Sequence, residues 1–226
     1  MDDPQVVLRA RVRELLECGA VNAAVGYAAG SAAGRVRPAL IRCVDQVARL
    51  VLNERCVNNL AVYLTRPDVR RMMPVAMAAI PSAIKAAFVL MQEHQIPSDG
   101  LVLIGLTLPG APGGSCCVLP QRTHGELLQW LRDNELKREL LPEDLGEIAR
   151  LEAMTPSGRW RYWQEHFSRC IRCYACRQVC PLCYCERCVA EKNRPQWVET
   201  SPHGRGNLTW NLTRAFHLAG RCVGCG

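Results

Sequence analysis

The chain has 226 residues, of which 49% are hydrophobic and 22% charged, with a formal net charge of +7; this excludes a disordered polymer and, at roughly 150 residues per domain, allows one large domain or a medium one with an appendage. No apolar stretch approaches the roughly 20 residues of a membrane span. Met1-Asp2-Asp3-Pro4 is acidic where an export signal would be basic and then apolar, so a soluble, cytoplasmic protein is the expectation.

Residues 5 to 18 place Val7, Leu8, Val12, Leu15 and Leu16 near helical spacing, and an apolar run of β type, Val21 to Tyr27, follows Gly19. The clearest unit begins at Met73. An apolar run to Ile80 meets Pro81 and Ser82, continues as Ala83 to Gln95, and passes Ile96-Pro97-Ser98-Asp99-Gly100 into Leu101 to Leu108. It reads as strand, helix, strand, with Ser82 capping the helix through a free backbone N–H of its first turn. Both strands are almost continuously apolar, as in strands covered on both faces and joined in parallel by a crossover helix. The fold class expected is α/β, a mainly parallel sheet with flanking helices. Cys18, Cys43 and Cys56 lie among apolar neighbours and read as core thiols.

Beyond the carboxyl edge of the sheet, Pro109-Gly-Ala-Pro-Gly-Gly-Ser-Cys116-Cys117 is rich in glycine but is not G-x-G-x-x-G. A plain loop is expected there rather than a phosphate cradle, with Cys116 and Cys117 as buried thiols. His124 to Leu140 and Glu143 to Met154 have helical periodicity.

The composition changes near Thr155-Pro156-Ser157-Gly158, giving an α/β domain over 1–155 and a small cysteine-rich domain over 156–226. Nine of the fourteen cysteines fall in the second part, as do nine of the thirteen aromatic residues. Trp160, Tyr162, Trp163 and Phe167 sit on an expected helix and read as a small core. From Arg159 to Arg194 there are eight Lys or Arg against three Glu. His94, His124, His166, His203 and His217 show no spacing of a metal site.

Cys170-Ile-Arg-Cys173-Tyr-Ala-Cys176-Arg-Gln-Val-Cys180-Pro181 is an unbroken C-x-x-C-x-x-C-x-x-x-C-P run, the bacterial ferredoxin pattern for a 4Fe-4S cluster. Two-residue gaps let three thiolates of one tight loop reach three irons of a cube, while the fourth, after a longer gap and a proline, turns away. Gly220-Arg-Cys222-Val-Gly-Cys225-Gly226 begins a second such run. By resemblance to two-cluster ferredoxins, Cys170, Cys173 and Cys176 would serve one cluster, and Cys222, Cys225 and Cys180 the other. Each would lack a cysteine, as though the chain stopped within its second run. Cys183, Cys185 and Cys188 exceed that pattern and would supply a missing ligand or hold a further metal. The cluster count, one or two, stays open.

Zinc is the plainer reading of paired C-x-x-C motifs, and a zinc-stabilised module binding nucleic acid is the alternative, given +7 and aromatics among arginines. Seven cysteines within 19 residues exceed what one zinc ion needs, which favours iron and sulfide. A non-functional remnant is a third reading. Arg169, Arg172, Arg177 and Arg187 would compensate an anionic cluster or form a docking patch for an acidic partner.

Val21 to Gly30, Leu50 to Leu64, Gln92-Glu93-His94-Gln95-Ile96 before Leu103-Ile104-Gly105, and the ferredoxin run together resemble the coenzyme F-420 hydrogenase and formate dehydrogenase beta-subunit family. The resemblance implies an iron–sulfur subunit passing single electrons among clusters, a flavin such as FAD and the other subunits of a hydrogenase, formate dehydrogenase or heterodisulfide-reductase-like complex. It also implies Cys-Asp and Cys-x-Gly at two strand ends, where this chain has Ile80-Pro81-Ser82 and Thr107-Leu108-Pro109-Gly110. The expected role is therefore electron transfer rather than hydride transfer.

Overall fold

Helix α1 (Pro4–Glu17) opens the computed structural model, which describes residues 3–107, 117–119, 123–134, 142–191 and 198–225. Asp3 caps it, its carboxylate accepting from the Gln5 N–H at 2.9 Å, and Pro4 occupies the first turn, where no N–H is needed. Leu8, Val12 and Leu15 form its buried stripe.

Strands β1 (Ala23–Ala29), β2 (Val36–Ile41), β3 (Val75–Ala79), β4 (Leu101–Thr107) and β5 (Cys117–Val118) make a sheet in the order β2-β1-β3-β4-β5. β1–β3 and β3–β4 pair in parallel, whereas β1–β2 and β4–β5 pair antiparallel. The sheet is thus mixed, not mainly parallel. Six residues join β1 to β2, with Gly30 N–H donating to the Arg35 carbonyl at 2.7 Å and Gly34 at φ +70°. So short a link permits only a hairpin, because a parallel partner needs a crossover of a dozen residues or more. β2 escaped the sequence reading because Pro38 interrupts it; a proline has no N–H for a ladder and is tolerated at this edge position.

Residues of β3 are buried throughout and those of β4 nearly so, as strands covered on both faces require. α2 (Pro67–Arg70) is a single turn before β3. α3 (Pro81–Gln92) follows β3 and buries Ala83, Ile84, Ala86, Ala87 and Leu90. Ser82 is not its cap. Ile80 holds that position with no side-chain bond, and its carbonyl accepts from the Ala83 and Ile84 N–H groups, because Pro81 already fixes the first turn. Before β3, Asn59 caps the turn Leu60–Tyr63: its Oδ1 accepts from Ala61 N–H at 3.1 Å and its Nδ2 donates to the Ser82 carbonyl at 3.1 Å.

Of the three expected core thiols only Cys56 is buried; Cys18 and Cys43 are exposed. Cys18 ends α1, where the chain leaves the core, and Cys43 precedes the short turn Val44–Arg49. α4 (His124–Asn134) realises the first half of the expected 124–140 helix, and the rest lies outside the described residues, as do Pro109 to Cys116 of the glycine loop.

The chain forms two compact units, residues 1–137 with 179–184 and 223–226, and residues 138–178 with 185–222. The second holds α5 (Pro142–Ala153), α6 (Pro156–Ser168), α7 (Ala175–Gln178) and α8 (Gly204–Leu218). Thr155 caps α6 by accepting from Gly158 N–H at 3.1 Å, and Arg159 donates to the Leu151, Glu152 and Met154 carbonyls that end α5. The aromatic core expected on α6 is absent: no residue of α6 is buried, and Trp160 and Trp163 are 46% and 42% exposed. Tyr162 instead meets Trp163 edge-on at 5.0 Å, and Trp163 stacks on Phe167 at 5.9 Å. The buried cluster of this unit is Ala190, Val198 and Trp210.

Candidate metal centre

In the second unit the loop Cys170–Cys176 is held by one face of α8. Asn207 Nδ2 donates to the Cys170 carbonyl at 2.7 Å, and Arg214 Nη2 to the Cys176 carbonyl at 2.9 Å. Trp210 lies between them on the same face, 1% exposed, with the Tyr174 ring edge-on at 4.9 Å. Positions 207, 210 and 214 follow the i, i+3, i+7 spacing of one helix side. Gly206 precedes them because a Cβ there would stand 2.8 Å from the Ser201 carbonyl oxygen. Cys170, Tyr174 and Cys188 all pack against the Trp210 cluster.

The loop backbone is unusual for residues with side chains. Arg172 and Tyr174 both have φ +58°, a left-handed conformation costing on the order of 1–3 kcal/mol each. Turns of this kind direct successive N–H groups into a concavity that favours anions, the form taken by many phosphate and iron–sulfur sites. In the second run Gly224, the counterpart of Arg172 within Cys222-Val-Gly-Cys225, has φ +62° without that cost.

Arg172 is 94% removed from solvent, with a relative exposure of 6%. Its Nη2 donates to the Gly206 carbonyl at 3.0 Å and to that of Glu199, and the guanidinium lies 5.2 Å from the Trp210 ring centroid. Its Nε and Nη1 are buried with no hydrogen-bond partner, and among the described residues no carboxylate pairs with it. The other three arginines differ. Arg169 is exposed and bound to Glu165 at 2.8 Å, Arg177 is paired with Glu191 and donates to the Cys185 carbonyl at 2.6 Å, and Arg187 is exposed. The Arg177 contacts tie the segment carrying Cys185 and Cys188 to the helix turn α7 that carries Cys176.

In the first unit, Cys180-Pro-Leu-Cys183 makes a turn closed by Cys183 N–H on the Cys180 carbonyl at 3.1 Å. Tyr184 donates to Glu93 Oε2 at 2.9 Å, fixing the turn at the end of α3, and Leu182 is buried. A hydrogen bond between the Cys180 and Cys183 thiols, with burial and the nearby Cys183 and Cys225 thiolates, pushes Cys180 well above the usual thiol range, while Leu182 N–H opposes this. Cys183 and Cys225 therefore each lie within electrostatic reach of Cys180.

None of the nine candidate cysteines forms a disulfide: Cys170, Cys173, Cys176, Cys185, Cys188 and Cys222 lie in the second unit, Cys180, Cys183 and Cys225 in the first. Among the described residues no three Cys, His, Asp or Glu side chains stand gathered as for a metal ion. What fits a bound anionic cluster is the left-handed loop and the buried, unpaired cation. The sequence reading missed α8. Its signal is Asn207-Trp210-Arg214 on one face, faint because Gly204, Gly206, Thr209, Asn211 and Thr213 are weak helix formers.

No family model matches the chain. It is similar to the F420-dependent formate dehydrogenase subunit beta of Methanocaldococcus jannaschii, 37% identical over 65 residues, which is 28% of this chain and 16% of that protein. It is also similar to the F420-dependent formate dehydrogenase 1 subunit beta of Methanococcus maripaludis, 34% identical over 57 residues, 25% of this chain and 14% of that protein. The chain thus covers about a sixth of the length of these curated relatives. Among the described residues no helix is long and apolar enough to cross a membrane.

Proposed function

We propose that the protein is an iron–sulfur electron-transfer component of a redox complex of the formate dehydrogenase kind, with Cys170, Cys173 and Cys176 as ligands of a 4Fe-4S cluster. The carrying observation is the C-x-x-C-x-x-C loop itself, which bends through two left-handed non-glycine residues while its thiols remain free. The partial likeness to two formate dehydrogenase beta subunits supports the complex, and other subunits of it are the partners proposed. A bound cluster would take up and release one electron at a time.

The chain's own part is to hold and shield. α8 fixes both ends of the loop through the Cys170 and Cys176 carbonyls and leaves the sulfur atoms to the ligand. The left-handed turns aim amides at negative charge. Metal binding releases protons from thiols, so Cys180, whose thiol is pushed upward here, would bind in a pH-dependent way. A second cluster belongs to the same proposal.

Anaerobic purification followed by iron, acid-labile sulfide and zinc analysis tests it. Iron and sulfide in equal amounts, with a broad visible band that bleaches on reduction, are expected, and Cys173→Ser should lose them. A colourless protein carrying zinc, or one that takes up no iron and sulfide on reconstitution, overturns the proposal.

A further inference from the structure

We infer that Arg172 is a buried counter-charge that raises the reduction potential of the cluster held by Cys170, Cys173 and Cys176. The inference rests on the iron–sulfur reading above. A guanidinium cannot shed its proton, and a buried charge is costly unless it is paired. Arg172 has no carboxylate partner among the described residues, and two of its three nitrogens have no acceptor. It stands between two of the loop's cysteines in sequence and shares the Trp210 cluster with Cys170. The charge that would balance it is an anion bound by the same loop.

The other arginines of the segment are excluded by their partners. Arg169 and Arg177 answer Glu165 and Glu191, and Arg187 faces water, where its field is screened. Arg172 alone combines burial, proximity in the chain and an unanswered charge. Its carbonyl contacts to Glu199 and Gly206 hold the cation fixed, so it needs no rearrangement when the electron arrives.

Reduction by one electron from a low-potential donor such as dithionite adds one negative charge to the cluster and moves no proton. A fixed cation favours that product. Unit charges on the order of 10 Å apart at an effective dielectric of about 20 interact strongly enough to shift an equilibrium roughly tenfold, and a tenfold change in a one-electron equilibrium is about 59 mV.

The test is a dithionite titration of the reconstituted full chain, followed by electron paramagnetic resonance, for the wild type, Arg172→Gln, Arg172→Lys and Arg187→Gln, with iron and sulfide counted in each. Arg172→Gln should lower the midpoint by about 59 mV, a tenfold shift, and the deficit should persist at high salt. Arg172→Lys and Arg187→Gln should stay near the wild type. An unchanged midpoint in Arg172→Gln, or an equal fall in the lysine variant, overturns the inference while leaving the iron–sulfur reading intact. If Arg172→Gln holds no cluster but Arg172→Lys does, at the wild-type midpoint, the charge requirement stands; if neither holds one, Arg172 is a structural tether and the inference fails. A wild type without iron and sulfide removes the iron–sulfur reading itself.

Discussion

Trp210 is the side chain on which the second unit depends most. It is 1% exposed, meets Tyr174 edge-on, lies under the Arg172 guanidinium and contacts Ala190 and Val198. Truncating a buried tryptophan to alanine costs about 3–5 kcal/mol, within which the aromatic pair and the cation contact each account for roughly 1 kcal/mol. At about 1.4 kcal/mol per factor of ten, Trp210→Ala should multiply the opened population of this unit from about a hundredfold to a few thousandfold. Amide hydrogen exchange reads this directly. Peptides from α8 and from 170–178 should lose protection by that factor, whereas those from β3 and β4 keep theirs. A loss below tenfold in α8 would refute the reasoning, because the ring would then not be the keystone of that core.

Gly206→Ala should loosen the same unit by about 1–3 kcal/mol, since its Cβ would press on the Ser201 carbonyl and shift the segment whose Glu199 carbonyl holds Arg172; equal thermal stability in variant and wild type would contradict this. Tyr27, fully buried and donating to the Asn58 carbonyl at 2.6 Å, has its phenol pushed far upward, by burial first and then by the nearby Cys56 thiolate. Its raised folded value means full stability below the free tyrosine value of about 10 and a progressive loss above it, at about 1.4 kcal/mol per pH unit. Urea melts from pH 9 to 11 should show that slope, and Tyr27→Phe should reduce it. In metal-free protein, iodoacetamide should modify exposed Cys18 and Cys43 quickly and Cys56 last, since burial pushes the Cys56 thiol up; mass spectrometry showing Cys56 among the first would overturn that order.

The strand, helix, strand unit was legible because a doubly covered strand must be apolar on both faces, and Val75–Ala79 and Leu101–Thr107 are. The edge strand β2 was not, since half its residues face outward and Pro38 breaks its pattern. The cysteine run stood out in the sequence through its spacing alone. Its support did not, because α8 fixes the two ends of the loop through carbonyls, which every residue has and no letter of the sequence reveals. The α6 aromatics misled for a related reason: size suggests a core, but Tyr162, Trp163 and Phe167 pack on one another and Trp160 stays exposed. The sequence left the four arginines near the loop equivalent, and only burial and hydrogen-bonding geometry separated Arg172 from the rest.

The grip of α8 on the peptide skeleton has an evolutionary corollary. Asn207 and Arg214 hold the loop by the main-chain oxygens of Cys170 and Cys176, and Ile171 and Ala175 are exposed, so neither side chain sets that grip. Drift at those sites would leave the scaffold untouched, and new surface character beside the thiols, suited to a different docking subunit, becomes accessible by single substitutions.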